Sequence, residues 1–260
     1  MFLFLGVSPV AAEGLKDVYE QAVDAYNKSD FERASNIYQN ILQYVPNFVP
    51  AYYGLGLIAQ RVSTEEEAIH YFKLAVQYNP QYAPAYENLG RIYHRQQNND
   101  EAIAMFKQAL KADPTLAGPK IHLGWMYLMT KAKPRKAIYY FQQVVNSPVG
   151  ADGQAYYGLG LSFFADNQRE KALDVITTLH RIGSEDLAAR LEQAVRESPR
   201  VFLQQPQENV EALPATPSAP LPLTTAEVAQ SQAPSPTPIT PTKPQPKGIK
   251  VRLRDNLEGY

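Results

Sequence analysis

Four histidines, His70, His94, His122 and His180, are the side chains of this sequence best suited to move a proton or ligate a metal near neutral pH. Their spacing supports neither task. They are scattered along the chain, with no His-Glu-x-x-His or comparable ligand pattern. The absence of cysteine removes disulfides, thiolate-bound zinc and thiol nucleophiles together, and leaves the redox compartment open. The segment Ala-Tyr-Tyr-Gly-Leu-Gly-Leu occurs at 51–57 and again at 155–161. Its Gly-x-Gly is no nucleotide motif, and no Gly-rich loop ends in Lys-Ser or Lys-Thr. No nucleophile, base and metal constellation assembles, so the sequence predicts a protein without catalysis and without cofactors. A formal net charge of −1 gives no bias towards nucleic acid or an anionic membrane.

The elements that carry these residues repeat. Ala22, Gly56, Gly90, Gly124 and Gly160 recur at steps of 34, 34, 34 and 36 residues, and Ala34, Ala68, Ala102, Ala137 and Ala172 at 34, 34, 35 and 35. A period of this length marks a solenoid of supersecondary units, each of which buries its apolar face only against the next. The unit at 83–116 shows how. Tyr86, Leu89, Gly90 and Tyr93 fall on one helical stripe, and Ala102, Phe106 and Ala109 on another. Gln97-Asn98-Asn99-Asp100 separates them with turn composition, Asp100 is placed to cap the second helix, and Pro114 ends it. The small residues read as the points of closest helix approach, with the glycines facing the alanines.

This pattern of aromatic, Leu-Gly, Tyr, Ala, Phe, Ala and Pro resembles the tetratricopeptide repeat. The unit at 49–82 matches it with Tyr52, Leu55, Gly56, Ala59, Ala68, Phe72, Ala75 and Pro80. The unit at 15–48 is weaker; that at 117–152 has one extra residue in its turn near Lys131–Pro134; in that at 153–183 Gly183 replaces the proline. The resemblance implies an all-α, right-handed α-solenoid of about five helix-turn-helix repeats. Ser184 to Ser198, with Leu187, Leu191 and Val195 on one stripe, reads as a capping helix over 184–198.

In this family the first helices line a concave face. The resemblance places Tyr19, Tyr26, Tyr53, Arg91, His94, Trp125, Tyr157 and Phe164 there. The Lys, Asn and Arg clamp that grips a terminal carboxylate in some members is missing, since Tyr19 and Val23 occupy two of its positions. The groove is instead an aromatic trough, with Tyr53, Trp125 and Tyr157 as partner-contacting anchors and Arg91 and His94 as its polar groups.

Beyond the array the composition shifts. Of 21 prolines, 11 lie between Pro206 and Pro246, so 203–247 reads as an extended, disordered Pro-rich linker. It serves either as a spacer or as a ligand for a proline-reading domain. At 248–260, Ile249, Val251 and Leu253 alternate with Lys250, Arg252 and Arg254. This tip is either a docking strand for a partner's sheet edge or a weakly basic end. At the other terminus, residues 1–12 are apolar and end in Val10-Ala11-Ala12, like the remnant of a secretory signal. No stretch is long and apolar enough for a membrane span.

The sequence therefore predicts a scaffold or assembly factor that binds a protein or peptide, periplasmic or secreted in a bacterial cell envelope. A cytoplasmic adaptor and a self-assembling structural protein are the alternatives.

Overall fold

The computed structural model describes residues 9–147, 152–196 and 220–223. They form α-helices and turns without a strand, so the fold is all-α. The chain divides into two compact units, one of residues 1–85 with 217–260 and one of residues 86–216.

The first unit contains α1 (Pro9–Asn27), α2 (Phe31–Tyr44), α3 (Val49–Val62) and α4 (Glu65–Tyr78). Pairing is sequential: α1 packs on α2, α2 on α3 and α3 on α4. The helix ends follow local chemistry. The Asp30 carboxylate accepts from the Arg33 N–H at 3.2 Å, and the Thr64 hydroxyl from the Glu67 N–H at 3.2 Å. Glu65, Glu66 and Glu67 in the first turn of α4 favour the positive end of the helix dipole. Pro50 stands in the first turn of α3, where a missing N–H breaks no helical bond.

The second unit begins within α5 (Ala83–Arg95) and continues through α6 (Asn99–Ala112), α7 (Ala117–Trp125), α8 (Pro134–Val145), α9 (Gly153–Ala165), α10 (Arg169–Arg181) and α11 (Glu185–Arg196). Here α8 and α10 both pack on α9, and α11 lies against α9 and α10. Asp152 caps α9, accepting from the N–H groups of Gln154 at 2.8 Å and Ala155 at 3.3 Å. Asp100 does not cap α6 as expected from sequence. Asn98 stands at the cap, and Asp100 lies in the first turn, where it pairs with Lys131 at 2.6 Å.

Three of the hairpin turns share one device. Ser29, Gln97 and Asn167 are left-handed at φ near +60°, and each following residue donates its N–H five residues back, as Asn98 does to the Tyr93 carbonyl at 2.9 Å. The left-handed residue donates three residues back, as Gln97 does to His94 at 2.9 Å, which completes a Schellman closure. Gly183 closes α10 in the same way at φ +75°. The extra residue in the unit at 117–152 sits elsewhere than predicted. It is absorbed inside the first helix, where α7 runs on as a π-helical turn over Met126–Thr130 and Lys131 N–H reaches the Met126 carbonyl at 3.1 Å.

The recurrent glycines face rings rather than alanines. A Cβ on Gly56 would stand 2.5 Å from the Phe72 ring, on Gly90 2.8 Å from Phe106, and on Gly124 2.7 Å from Phe141. The glycine therefore makes room for the second helix's phenylalanine, which is fully buried in each case. Gly54 and Gly158 receive the ring of the preceding hairpin, Tyr38 and Phe141 respectively. Gly160 differs, because Ile176 replaces the phenylalanine. Leu191 of α11 fills that space instead, with Val175 beside it.

Candidate protein-binding surface

In the first unit Tyr19 and Tyr26 project from α1 and Tyr53 from α3. All three are buried, which corrects the expectation that they line an open trough. Tyr19 is wholly enclosed: its ring meets Phe48 edge-on at 5.6 Å and Tyr38 tilted at 5.9 Å. Its hydroxyl donates to the backbone carbonyl of Leu221, in the C-terminal tail, at 2.8 Å. Pro220, the residue before Leu221, is buried. Tyr26 packs edge-on against Phe31 at 5.5 Å, and burial raises its pKa while Arg61 opposes the rise. Tyr53 lies between Phe72 and Tyr82, at 5.7 and 5.4 Å.

In the second unit the expected anchors also lie inside. Trp125 is packed between Phe141 at 5.3 Å and Tyr157 at 5.9 Å, and its indole N–H is buried without a hydrogen-bond partner among the described residues. Tyr157 is covered by the Arg190 guanidinium of α11, 5.3 Å from the ring centre. Phe164 is buried with them. Physically, these side chains join adjacent hairpins. A run of Tyr, Trp and Phe does not show from sequence whether it faces a partner or a neighbour, since both environments select the same residue types.

The polar members behave differently. Glu87, Arg91 and His94 on α5 are half-buried, as is His122 on α7. The Glu87 carboxylate lies against Gly118, a contact that a side chain at 118 would fill. Burial raises the Glu87 pKa, and Arg91 pulls it down. His122 stacks flat on Phe106, with centroids 4.7 Å apart and planes within 7°. Burial, and then the charges of Arg91 and His94, push its pKa down to about 3, so it is neutral at pH 7. His94 Nδ1 lies 3.4 Å from Asn99 Oδ1. The repeat register places Glu87 with Arg91 and His94 on the first-helix face, but it does not reveal His122 as their company. The signal for the first three is their spacing: 87, 91 and 94 share one helical face. Among the described residues, no group of three or more His, Asp or Glu could hold a metal ion. No helix among them is long and apolar enough to cross a membrane. The tip residues Ile249, Val251, Arg252, Leu253 and Arg254 lie outside the described residues, as do residues 1–8 of the signal-like stretch; Val10-Ala11-Ala12 falls within α1.

Comparison with known proteins agrees with this architecture. Two family models described as tetratricopeptide repeat match residues 19–77 and 65–124. No curated protein is similar enough to match. Among solved structures, that of MamA is 23% identical with a TM-score of 0.53, covering 69% of this chain and 93% of its own. YrrB, described as a TPR protein with an unusual peptide-binding site, is 20% identical at TM-score 0.56, covering 68% of this chain and 90% of its own. PilF of Pseudomonas aeruginosa is 16% identical at TM-score 0.54, covering 75% and 95%. At these identities the likeness is one of fold.

Proposed function

Because this chain is a tetratricopeptide repeat protein, we propose that it is a protein–protein interaction scaffold or assembly factor, working in a bacterial cell envelope. The observation that carries the binding reading is the half-buried Glu87, Arg91 and His94 row on α5. It places both charge signs and a titratable ring on one helical face, beside the buried aromatics of the same unit. Such a mixture of polar groups at the edge of an apolar cluster is what interfaces use for orientation. The peptide-binding site reported for YrrB adds support for a segment-like partner. The envelope location rests on Val10-Ala11-Ala12, whose small residues suit a signal-peptidase site.

Crosslinking pull-down from the native cell tests both parts. The intact chain should recover a defined partner from the envelope fraction, and Arg91→Ala with His94→Ala should lose it, each truncation costing about 1–2 kcal/mol. Equal recovery by both forms would exclude this face. Recovery of the chain from the cytosolic fraction alone would overturn the location.

A further inference from the structure

We propose that the tail segment Pro220–Leu223 is an intramolecular ligand of the Tyr19 surface, which makes this surface a recognition site for an extended Pro-Leu-Pro-Leu stretch. This goes beyond the binding reading above, which concerns the α5 face of the second unit, and rests on it only in the premise that outside segments bind this chain. Tyr19 and Leu221 are 202 residues apart in sequence, yet the Tyr19 hydroxyl donates to the Leu221 carbonyl at 2.8 Å. The contact has the form of polyproline recognition. Pro220 is buried, Leu221 and Pro222 are exposed, and Leu223 is half-buried, so the residues that face inward are three apart. That is the period of a polyproline II helix. The prolines at 220 and 222 fix φ near the required value, and Leu221, preceding Pro222, is held extended by the same ring. Pre-ordering of this kind lowers the entropy cost of docking.

The receiving side fits too. Tyr19, Tyr38 and Phe48 form an aromatic cluster, and the Tyr19 hydroxyl supplies a donor for a carbonyl that no helix or strand engages. The contact reads the backbone and one proline ring, while the Leu221 side chain is 40% exposed. Recognition of this type is tolerant of the residue between the prolines. An outside segment must therefore displace the tail before it can bind.

The test uses the full chain. It has no native cysteine, so a nitroxide placed at Thr224→Cys, just beyond the docked segment, is the single label. In dilute solution the amides around Tyr19 should lose most of their intensity. Tyr19→Phe, which keeps the ring, should restore it substantially, and Leu221→Ala should leave the broadening unchanged. No broadening overturns the proposal. Broadening seen only when labelled and isotope-enriched chains are mixed also overturns it, in favour of a second copy as the occupant. In a second arm, a synthetic peptide of residues 214–226 should bind the Pro220→Asp, Pro222→Asp chain about tenfold more tightly than the intact chain, as for a surface roughly nine-tenths occupied by its own tail. Equal affinity overturns the displacement. The label reads the tail without any partner. Loss of the pull-down with retained broadening would thus sink only the wider function, and the reverse result only this inference.

Discussion

Tyr19 and Trp125 are both aromatic side chains with a polar handle, and both are buried, but in different company. In the first unit the Tyr19 hydroxyl is engaged by a backbone carbonyl 202 residues further along the chain. In the second, the Trp125 indole N–H has no hydrogen-bond partner among the described residues, and the aromatics around it are enclosed by neighbouring helices, with Arg190 of α11 over Tyr157. One repeat pattern can thus be finished in two ways. A helix closes the second unit by packing, and in the first a tail carbonyl, next to a buried proline, accepts from Tyr19.

Removing the two finishing elements should therefore have unequal effects. Leu191→Ala takes away the side chain that fills the space at Gly160 and should destabilise the second unit by about 2–5 kcal/mol, read by chemical denaturation. Tyr19→Phe removes one hydroxyl and should cost about 0.5–1.5 kcal/mol in the first unit. Comparable losses would break the comparison.

The histidines sharpen it within the second unit, since they bear opposite signs. The His122 pKa is lowered to about 3, so between the ordinary 6.5 and that value the unfolded chain binds a proton that the folded chain refuses. Stability should fall as pH drops from 6.5 towards 3, and His122→Phe should flatten that limb of a pH-denaturation series. His180, at the junction of α10 and α11, is raised by its hydrogen bonds to Glu185 and then Glu192. Its contribution is fully present below 6.5 and fades as pH climbs through the raised value. The docking of α11 should therefore loosen on the alkaline side, weakly because the ring is exposed, and His180→Gln should remove the effect. The smallest change belongs to the turns. Gln97→Gly relieves a left-handed backbone and should raise the midpoint of thermal unfolding, at about 0.5–1 kcal/mol.

The fold class was legible because Gly56, Gly90 and Gly124 recur with Phe72, Phe106 and Phe141 at offsets of 16, 16 and 17, and a period survives without knowledge of contacts. Which side chain stands opposite each glycine was not legible. Periodicity assigns a residue to a face, and only the crossing of two helices decides that Phe72 rather than Ala68 meets Gly56. The site was read less well. Tyr53, Trp125 and Tyr157 have the chemistry of anchors, yet their burial depends on how adjacent hairpins close over them. The tail contact was invisible, since no pattern in the sequence links Pro220 to Tyr19.

The π-helical turn at Met126–Thr130 has a consequence for how this array tolerates change in length. An added residue in a regular α-helix rotates everything after it by about 100°, which would carry Ala137, Phe141 and Val144 off their buried face. The wide turn takes up the extra residue as a local loop of backbone, and the phase of α8 is preserved: those three side chains remain buried. The array thus contains a phase corrector. Removing a single residue between 126 and 131 should leave α8 in register with α9, whereas the same deletion in the middle of α8 should scramble it.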